Sequence, residues 1–393
     1  MSDSTRIPLH RDPKVRAWVF QILAILVVCY GFYSIVQTTI ENLATRNIQT
    51  NFNFLTQVAP FNIGFSPFID FKLGETTYWM VFFIGIQNTI LIAVLGIIAA
   101  TLLGFLIGVV RLSPNWLASK VALVYIEIFR NAPLLLQIMF WNFAIFLASL
   151  PAPRQSVEMG AFYLNNRGLH MPKPIIADDV RFWIWIGLVT LIFVGCLRFA
   201  RWAKHRFEDT GKPLPVFWIN TATLVLMGYL AYRIAGSPLT FDVPVLGRFN
   251  FSGGGQIPLP LFSLWFALVL YTAAFIAENV RAGIQSVSHG QSEAASALGL
   301  TRAQTVKLVV IPQALRVIIP PTISQYLNLT KNSSLAVAVG YEEIVSLWAG
   351  ITLNQTGQAL IIIAMTIFVY ECLSLTTSAI LNWYNRRVQL TER

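Results

Sequence analysis

The feature that most limits the fold of this chain is a set of long apolar segments, of which residues 84–110 contain no charged side chain. An α-helix rises about 1.5 Å per residue, so about 20 apolar residues cross the hydrocarbon layer of a bilayer, which is about 30 Å thick. A composition that is 55% hydrophobic and 12% charged also argues against a soluble multidomain protein. The sequence therefore predicts an all-α integral membrane protein.

Eight segments are long and apolar enough to be predicted as transmembrane helices. They are residues 17–36, 84–110, 121–150, 182–198, 215–232, 261–280, 317–340 and 359–383. The first is too long for a removable signal peptide and has no small-residue cleavage site at its end. The seventh is less apolar than the others, because Asn328, Lys331 and Asn332 lie in its middle. An even number of spans places both termini on the same side of the membrane.

The basic residues predict which side that is. The segments on the side of the termini contain eighteen of the 28 Lys and Arg residues, and the opposite loops contain eight. Because cytoplasmic loops are enriched in Lys and Arg, both termini are predicted to be cytoplasmic. The basic cluster at residues 198–206 ends a predicted span, so we interpret it as a flank near anionic lipid headgroups and not as a nucleic-acid site.

Sequence patterns for a cofactor or metal site are lacking. No G-x-x-x-x-G-K-[ST] loop occurs, and the four histidines are scattered singly without a zinc-binding spacing. We therefore expect no catalytic site, no metal and no cofactor in this chain, and no ATP bound by a P-loop of its own.

Residues 283–316 form the largest predicted cytoplasmic segment and have the signals of two short helices. Two stretches fit the S/T-x-x-E/Q capping box that begins a helix, residues 288–291 and 301–304. Gly299 can adopt the left-handed conformation that ends a first helix over about residues 289–298. Pro312 has no amide hydrogen and is expected to interrupt the second helix. The segment is therefore predicted to be a compact projection that can transmit force as a rigid body.

This segment resembles the E-A-A-x3-G-x9-I-x-L-P loop of ABC importer permeases. The matching residues are Glu293, Ala294, Ala295, Gly299 and Pro312, with conservative differences at Val309 and Ile311. Residues 129–137, 277–286 and 331–335 are similar to the polar amino acid branch of these permeases. The resemblance covers about residues 84–150 and 261–385, and the additional spans make the chain similar to the permeases of general L-amino acid importers.

The resemblance implies an ABC type I importer permease fold with a cytoplasmic coupling helix, in the bacterial inner membrane. It also implies a second permease subunit, identical or paralogous, two cytoplasmic ATPase subunits that bind ATP, and a periplasmic binding protein that delivers an L-amino acid. The resemblance also implies transport by alternating access.

The expected segments are a cytoplasmic N-terminus (1–16), an extra span and outer loop (17–83), a first permease core segment (84–150), an insertion with two extra spans (151–260), a second permease core segment (261–385) with its coupling loop (283–316), and a cytoplasmic tail (386–393).

Each coupling residue also has a purely structural interpretation. Glu293 either docks to the ATPase or only sits near its own helix N-terminus, where a carboxylate is favoured. Ala294 and Ala295 either let a partner surface approach closely or are simply good helix formers. The motif favours docking for Glu293, and the two interpretations of the alanines stay equally open.

The candidate substrate path consists of polar residues within predicted spans: Gln87, Asn88, Lys331, Asn332, Ser333, Ser334 and Glu371. Such residues face a cavity or bond to a neighbouring helix, and both alternatives stay open. Glu371 is expected to be protonated or paired, with Lys331 as a possible partner. Asn332 stands where the family has an acidic residue, which removes one reason to prefer cationic amino acids.

A stripe of small residues on the second span, at Gly96, Ala100, Gly104 and Gly108, predicts close packing against a neighbouring helix. Two rival functions remain at this point. An ion-coupled secondary transporter would use an embedded carboxylate such as Glu371 and need no ATPase. That transporter would leave the segment 283–312 unexplained. A membrane scaffold or assembly factor without transport would have an outer-loop partner and no dependence on a substrate.

Overall fold

The computed structural model describes residues 13–45 and 51–388. The predicted cytoplasmic charges at Arg6, Arg11 and Arg393, and the outer-loop Arg46, lie outside the described residues. The α-helices are α1 (Pro13–Thr45), α2 (Tyr78–Arg111), α3 (Trp116–Asn131), α4 (Leu134–Met139), α5 (Asp179–Thr210), α6 (Val216–Ile234), α7 (Leu259–Gln285), α8 (His289–Ala297), α9 (Arg302–Thr305), α10 (Ile311–Asn332), α11 (Leu353–Thr356) and α12 (Ala359–Val388). Three π-helices cover Phe140–Leu147, Val306–Val310 and Val345–Thr352, and three 3-10 helices cover Phe52–Thr56, Pro153–Gln155 and Ser333–Val339.

Six helices in the described ranges are long and apolar enough to cross a membrane, against eight predicted spans. They are Arg16–Asn42, Tyr78–Arg111, Asp179–Thr210, Leu259–Gln285, Arg302–Val339 and Ala359–Trp383. A seventh is obtained if α3 and the helix that follows it, bent by 106°, count as one span. The predicted span that is still missing from this set is residues 215–232, which correspond to α6. This helix has 19 residues, and Asn220 and Arg233 lower its mean hydropathy.

The bend after α3 has a local cause in the sequence. Pro133 disfavours the helical conformation at the residue before it, and Ala132 is accordingly extended, with φ −89° and ψ 135°. The side-chain amide of Gln137 donates to the carbonyl oxygens of Phe129 at 3.0 Å and Ala132 at 2.9 Å. These two bonds satisfy carbonyl groups that the break leaves without a helical partner, so Gln137 stabilises the bend.

The described residues divide into two compact units, residues 13–45 and 51–89 with 342–380, and residues 90–341 with 381–388. In the first unit, Trp348 is fully buried and its ring lies 5.0 Å from that of Phe82 and 5.9 Å from that of Phe54. These contacts join the π-helix Val345–Thr352 to the start of α2 and to the 3-10 helix Phe52–Thr56. By contrast, none of the most apolar stretch of α1 is buried.

The second unit is organised around α7, the most extensively buried of the candidate spans. The predicted small-residue stripe of α2 faces its neighbours within the chain. A Cβ added to Gly104 would lie 2.7 Å from Ile276 of α7, and a Cβ on Gly96 would lie 3.1 Å from Leu329 of α10. The distance at Gly104 leaves no room for a Cβ, and the contact at Gly96 is tight, so the predicted close packing is confirmed.

Short antiparallel strands, which the all-α prediction missed, surround the α5–α6 hairpin. They are β1 (Val157–Met159), β2 (Phe162–Asn165), β3 (Gly168–Met171), β4 (Lys173–Ile176), β5 (Leu239–Asp242), β6 (Val245–Leu246), β7 (Phe251–Ser252) and β8 (Gly255–Pro258). One sheet has the order β1-β2-β3-β8, and β4-β5 and β6-β7 are separate pairs. Strand β3 precedes the hairpin and β8 follows it, with Leu169 opposite Ile257. The insertion thus begins and ends in one sheet.

Candidate ATPase-coupling site and substrate path

The first helix of the segment 283–316 is α8, and its N-terminus differs from the prediction. Ser288 is the N-cap residue, but its side chain makes no capping hydrogen bond. The amide of Gln291 instead donates to the backbone carbonyl of Ser288 at 3.0 Å. The predicted capping box at residues 288–291 is therefore wrong, although the helix begins at the predicted place.

The C-terminus of α8 has the predicted geometry. Gly299 is left-handed, with φ +79°, and its amide donates to the carbonyl of Ser296 at 3.0 Å. The amide of Leu300 donates to the carbonyl of Ala295 at 3.1 Å. These two bonds are those of a Schellman motif, which closes a helix by satisfying its last carbonyl groups. The chain therefore reverses sharply after α8.

The second helix begins at a complete capping box. The Thr301 hydroxyl accepts from the amide of Gln304, and the Gln304 side chain accepts from the amide of Thr301 at 2.9 Å. Pro312 does not interrupt this helix, contrary to the prediction. The chain stays helical from α9 through the π-helix Val306–Val310 into α10, and the wider turn of the π-helix lies directly before Pro312.

The motif side chains of α8 divide between two faces. Ala295 is only 3% exposed, so it packs against the protein, whereas Ala294 is exposed. The Glu293 carboxylate is 73% exposed and lies 3.1 Å from Nδ1 of His289. Leu298, beside Gly299, is 82% exposed. An exposed pair such as His289 and Glu293 adds little to stability. The outward face of α8 therefore presents the acidic Glu293 and the apolar Leu298 to a partner.

The polar residues at the end of α10 mostly satisfy one another locally. The Ser333 hydroxyl donates to the carbonyl of Thr330 at 2.7 Å, and the Ser334 hydroxyl donates to the carbonyl of Lys331 at 2.8 Å. Lys331 itself is exposed. Ser333 is buried, while Asn332 and Ser334 are partly buried. The two hydroxyl groups at the start of the 3-10 helix Ser333–Val339 thus bond to carbonyl groups of the last turn of α10. Lys331 is the most exposed residue of this group.

On α2, the candidates Gln87 and Asn88 form contacts within the first unit. The Asn88 amide donates to the carbonyl oxygens of Phe65 at 2.9 Å and Glu342 at 2.7 Å. The Gln87 amide donates to Oδ1 of Asn88 at 3.2 Å, and Gln87 Oε1 is buried with no partner in the described part of the chain. Asn88 therefore joins α2 to two loops, a structural role that was left open as an alternative to substrate contact.

Glu371 is exposed at the surface of α12, within the candidate membrane span Ala359–Trp383. Its pairing with Lys331 stays a prediction.

The buried carboxyl group of this region is Glu343, which is not among the residues predicted from the sequence. Glu343 is 0% exposed, and burial raises the pKa of its side chain to about 7. The neighbouring Glu342 accepts from the amides of Gly64 at 3.0 Å and Phe65 at 2.9 Å. Between residues 331 and 371 these are the only charged side chains in the sequence. Two adjacent acidic residues in so apolar a stretch were a signal that could have identified them.

Comparisons with known proteins give the family. A family model described as "Binding-protein-dependent transport system inner membrane component" matches residues 198–390. General L-amino acid transport system permease protein AapQ of Rhizobium johnstonii is 48% identical, over 97% of this chain and 94% of that protein. Putative amino-acid ABC transporter permease protein YhdX of Escherichia coli is 47% identical, over 97% of this chain and 96% of that protein. Among solved structures, an amino acid ABC transporter with histidines has a TM-score of 0.46 and 20% identity, over 79% of this chain and 95% of that one.

The similarity to AapQ and to YhdX extends over 97% of the chain and thus includes α5 and α6. It confirms the predicted importer permease fold, in which ATP hydrolysis belongs to other subunits. The chain belongs to the family of binding-protein-dependent transport system inner membrane components, the permease subunits of ABC importers.

Proposed function

We propose that this chain is one of two permease subunits in an ATP-driven importer of many different L-amino acids. The observation that carries the proposal is its 48% identity, across almost the whole length of both proteins, to a general L-amino acid permease. The neutral Asn332, where the resembling family has an acidic residue, agrees with a range that is not restricted to cationic amino acids.

In this proposal α8 is the coupling helix and docks on an ATPase subunit through Glu293, Ala294 and the exposed Leu298. The Schellman turn at Gly299 and the capping box of α9 stabilise the ends of this projection, so α8 moves as a rigid body. ATP binding closes the ATPase dimer and displaces α8. Ala295, buried on the inner face of α8, transmits that displacement to the rest of the second unit. Differential binding then shifts the permease toward its outward-open state.

The orientation follows the distribution of basic residues, with both termini and α8 on the cytoplasmic side of the inner membrane. A periplasmic binding protein delivers the amino acid to the opposite side. We assign transport to the core segments 84–150 and 261–385. The candidate path residues are Lys331, Asn332, Gln87 and Glu371, with the serines at 333 and 334 lining the same end of α10.

The test is ATP-dependent uptake of twenty radiolabelled L-amino acids by proteoliposomes that contain the complete complex. The ATPase, the second permease and the binding protein for this complex are to be sought among the neighbouring genes. We expect uptake of many of the twenty. Uptake that persists without ATP and collapses with the proton gradient would contradict the proposal in favour of an ion-coupled transporter.

The coupling role is tested by Glu293→Lys. We expect uptake to fall by a factor of about ten or more, because the change reverses the charge of an exposed docking residue. Glu208→Lys is the matched control, since it makes the same change on another exposed helix of the same predicted side, α5. If Glu293→Lys leaves both uptake and ATPase association at the level of the control, α8 does not dock through Glu293.

A further inference from the structure

The buried carboxyl group of Glu343 lies where three structural elements of the first unit meet. Its Oε1 accepts a hydrogen bond from the amide of Ser346 at 2.9 Å, in the π-helix Val345–Thr352. Its Oε2 accepts from the hydroxyl of Tyr370 on α12 at 3.0 Å. The Thr89 hydroxyl of α2 also lies within hydrogen-bonding reach. One side chain thus connects the π-helix to α2 and to α12.

The backbone beside Glu343 is seated closely on α2. The amide of Ile344 donates to the Thr89 hydroxyl at 3.2 Å, and that hydroxyl donates to the carbonyl of Gly85 at 2.8 Å. A Cβ added to Gly85 would lie 2.9 Å from Cα of Ile344. The backbone of α2 at Gly85 and the backbone at Ile344 are therefore in direct contact. A change in the hydrogen bonds of Glu343 would then displace α2 and the π-helix together.

Glu343 has no basic partner among the described residues. The π-helix and residues 79–89 of α2 contain no ionisable side chain. On α12, the ionisable group that contacts the Glu343 carboxyl group is the Tyr370 hydroxyl. Glu342, next in the chain, is bonded to the amides of Gly64 and Phe65. An ionised Glu343 therefore relies on hydrogen bonds alone in a site without water access, and such burial favours the neutral form.

We propose that Glu343 is a positioning residue for transport, whose protonation state sets how firmly the π-helix Val345–Thr352 is held on α2 and α12. The transport role in this inference rests on the proposed function, and the structural role does not. The neutral carboxyl group keeps a hydrogen bond with Tyr370, now donating to the phenol oxygen, without the cost of burying a charge. The ionised group keeps its hydrogen bonds from Ser346 and Tyr370 but bears that cost.

The sign of the pH dependence follows from the raised pKa of Glu343. The ordinary value for a glutamate is 4.5 and the folded value is about 7, so the folded state binds more protons than the unfolded state between these two values. The stabilisation is fully present below about pH 4.5 and is lost as the pH rises through about 7. Glu343 thus holds the π-helix, α2 and α12 together more firmly in mildly acidic solution than in alkaline solution.

The first measurement is thermal unfolding of the full chain in lipid nanodiscs between pH 5.5 and 8.5. We expect the Tm of the unchanged protein to contain a component that falls with rising pH, and Glu343→Gln to remove about half or more of that fall. Glu342→Gln cannot serve as the control, because burial also raises the pKa of Glu342. The control is Glu208→Gln, at an exposed position of α5, which should retain the fall. If Glu343→Gln and the control show the same pH dependence as the unchanged protein, the proposal is wrong.

Tyr370→Phe provides a second variant that decides the question even if Glu343→Gln fails to fold. Its hydroxyl stabilises the ionised carboxylate, so its loss should raise the pKa of Glu343 further and move the transition in Tm to higher pH. A transition that stays in place would overturn the proposal.

The same variants are then compared by ATP-driven uptake in the complete complex across this pH range. We expect Glu343→Gln to flatten the pH profile of the maximal uptake rate, with little change in the substrate concentration at half-maximal rate. An unchanged profile would restrict Glu343 to a role in stability and overturn its role in transport. If the unchanged complex carries no amino acid, the proposed function fails, while the unfolding measurements still decide the protonation-dependent contact.

Discussion

The backbone of α2 at Gly108 lies against Val280 of α7, because a Cβ added to Gly108 would be 2.7 Å from Cβ of Val280 and 2.8 Å from the carbonyl oxygen of Ala277. Gly108→Ala must therefore push the two helices apart. We expect it to lower the free energy of unfolding by about 1–3 kcal/mol, measured by reversible unfolding in mixed detergent micelles. Gly195→Ala is the control, since nothing lies within 4 Å of its added Cβ, and it should be neutral or slightly stabilising. Equal losses for both variants would contradict close packing at Gly108.

The two N-caps of the segment 283–316 make opposite predictions. Thr301 has a complete capping box, whereas the Ser288 side chain makes no capping bond. Thr301→Ala should cost about 1 kcal/mol of stability, and Ser288→Ala should cost much less. Hydrogen exchange of the α9 and α8 amides, respectively, measures the two effects. Faster exchange in both helices to the same extent would show that the caps do not differ.

The two alanines of the coupling motif should respond differently to the same substitution. Ala295→Leu inserts a large side chain at a buried position and should lower stability by about 1–3 kcal/mol. Ala294→Leu changes an exposed position, so it should leave stability intact and weaken association with the ATPase. Unfolding of the permease alone and co-purification of the ATPase separate the two outcomes. Loss of association without loss of stability in Ala295→Leu would mean that Ala295 faces the partner.

His170 in strand β3 predicts a pH dependence of the opposite sign to that of Glu343. Burial, assisted by the positive charge of Arg167, lowers the pKa of His170 below its ordinary value of 6.5. The folded state then binds fewer protons, so this stabilisation is present above about pH 6.5 and is lost as the pH falls toward the lowered pKa. The His170 ring lies 4.7 Å from that of Phe251, a contact that a phenylalanine can keep.

His170→Phe should therefore reduce the loss of stability of the β-sheet on acidification. Hydrogen exchange of β2 and β3, corrected for the intrinsic rate at each pH, measures it. The exposed His205 provides the control, and His205→Gln should leave the pH dependence as it is. If His170→Phe behaves like that control, the buried histidine does not contribute.

Local features of this fold were predictable because their causes lie within a few residues. The reversal at Gly299 and the capping box at Thr301 depend on conformational freedom and on side chains three residues apart, which a sequence displays directly. The error at Ser288 shows the limit of this reasoning. The motif was present, but a backbone carbonyl took the role that had been assigned to the hydroxyl.

Features that depend on distant pairing were not predictable from local patterns. Strand β3 has only four residues, and its pairing with β8 joins segments on either side of the α5–α6 hairpin. Such short strands have no clear alternation of their own, and their stability comes from the partner strand. Asn88 gives a similar case, because the sequence shows a polar residue in a span but not the two loop carbonyl groups that it bonds.

The pairing of Met171 with Gly255 in the β3–β8 ladder has a consequence for how this subunit evolved. All of residues 172–254 leave and re-enter the sheet at adjacent positions, as a loop does at the end of a hairpin. A tight turn of two residues is enough to connect such positions in an antiparallel pair. The α5–α6 hairpin could therefore be gained or lost by a single genetic insertion or deletion, with the helices on either side of the sheet keeping their connection.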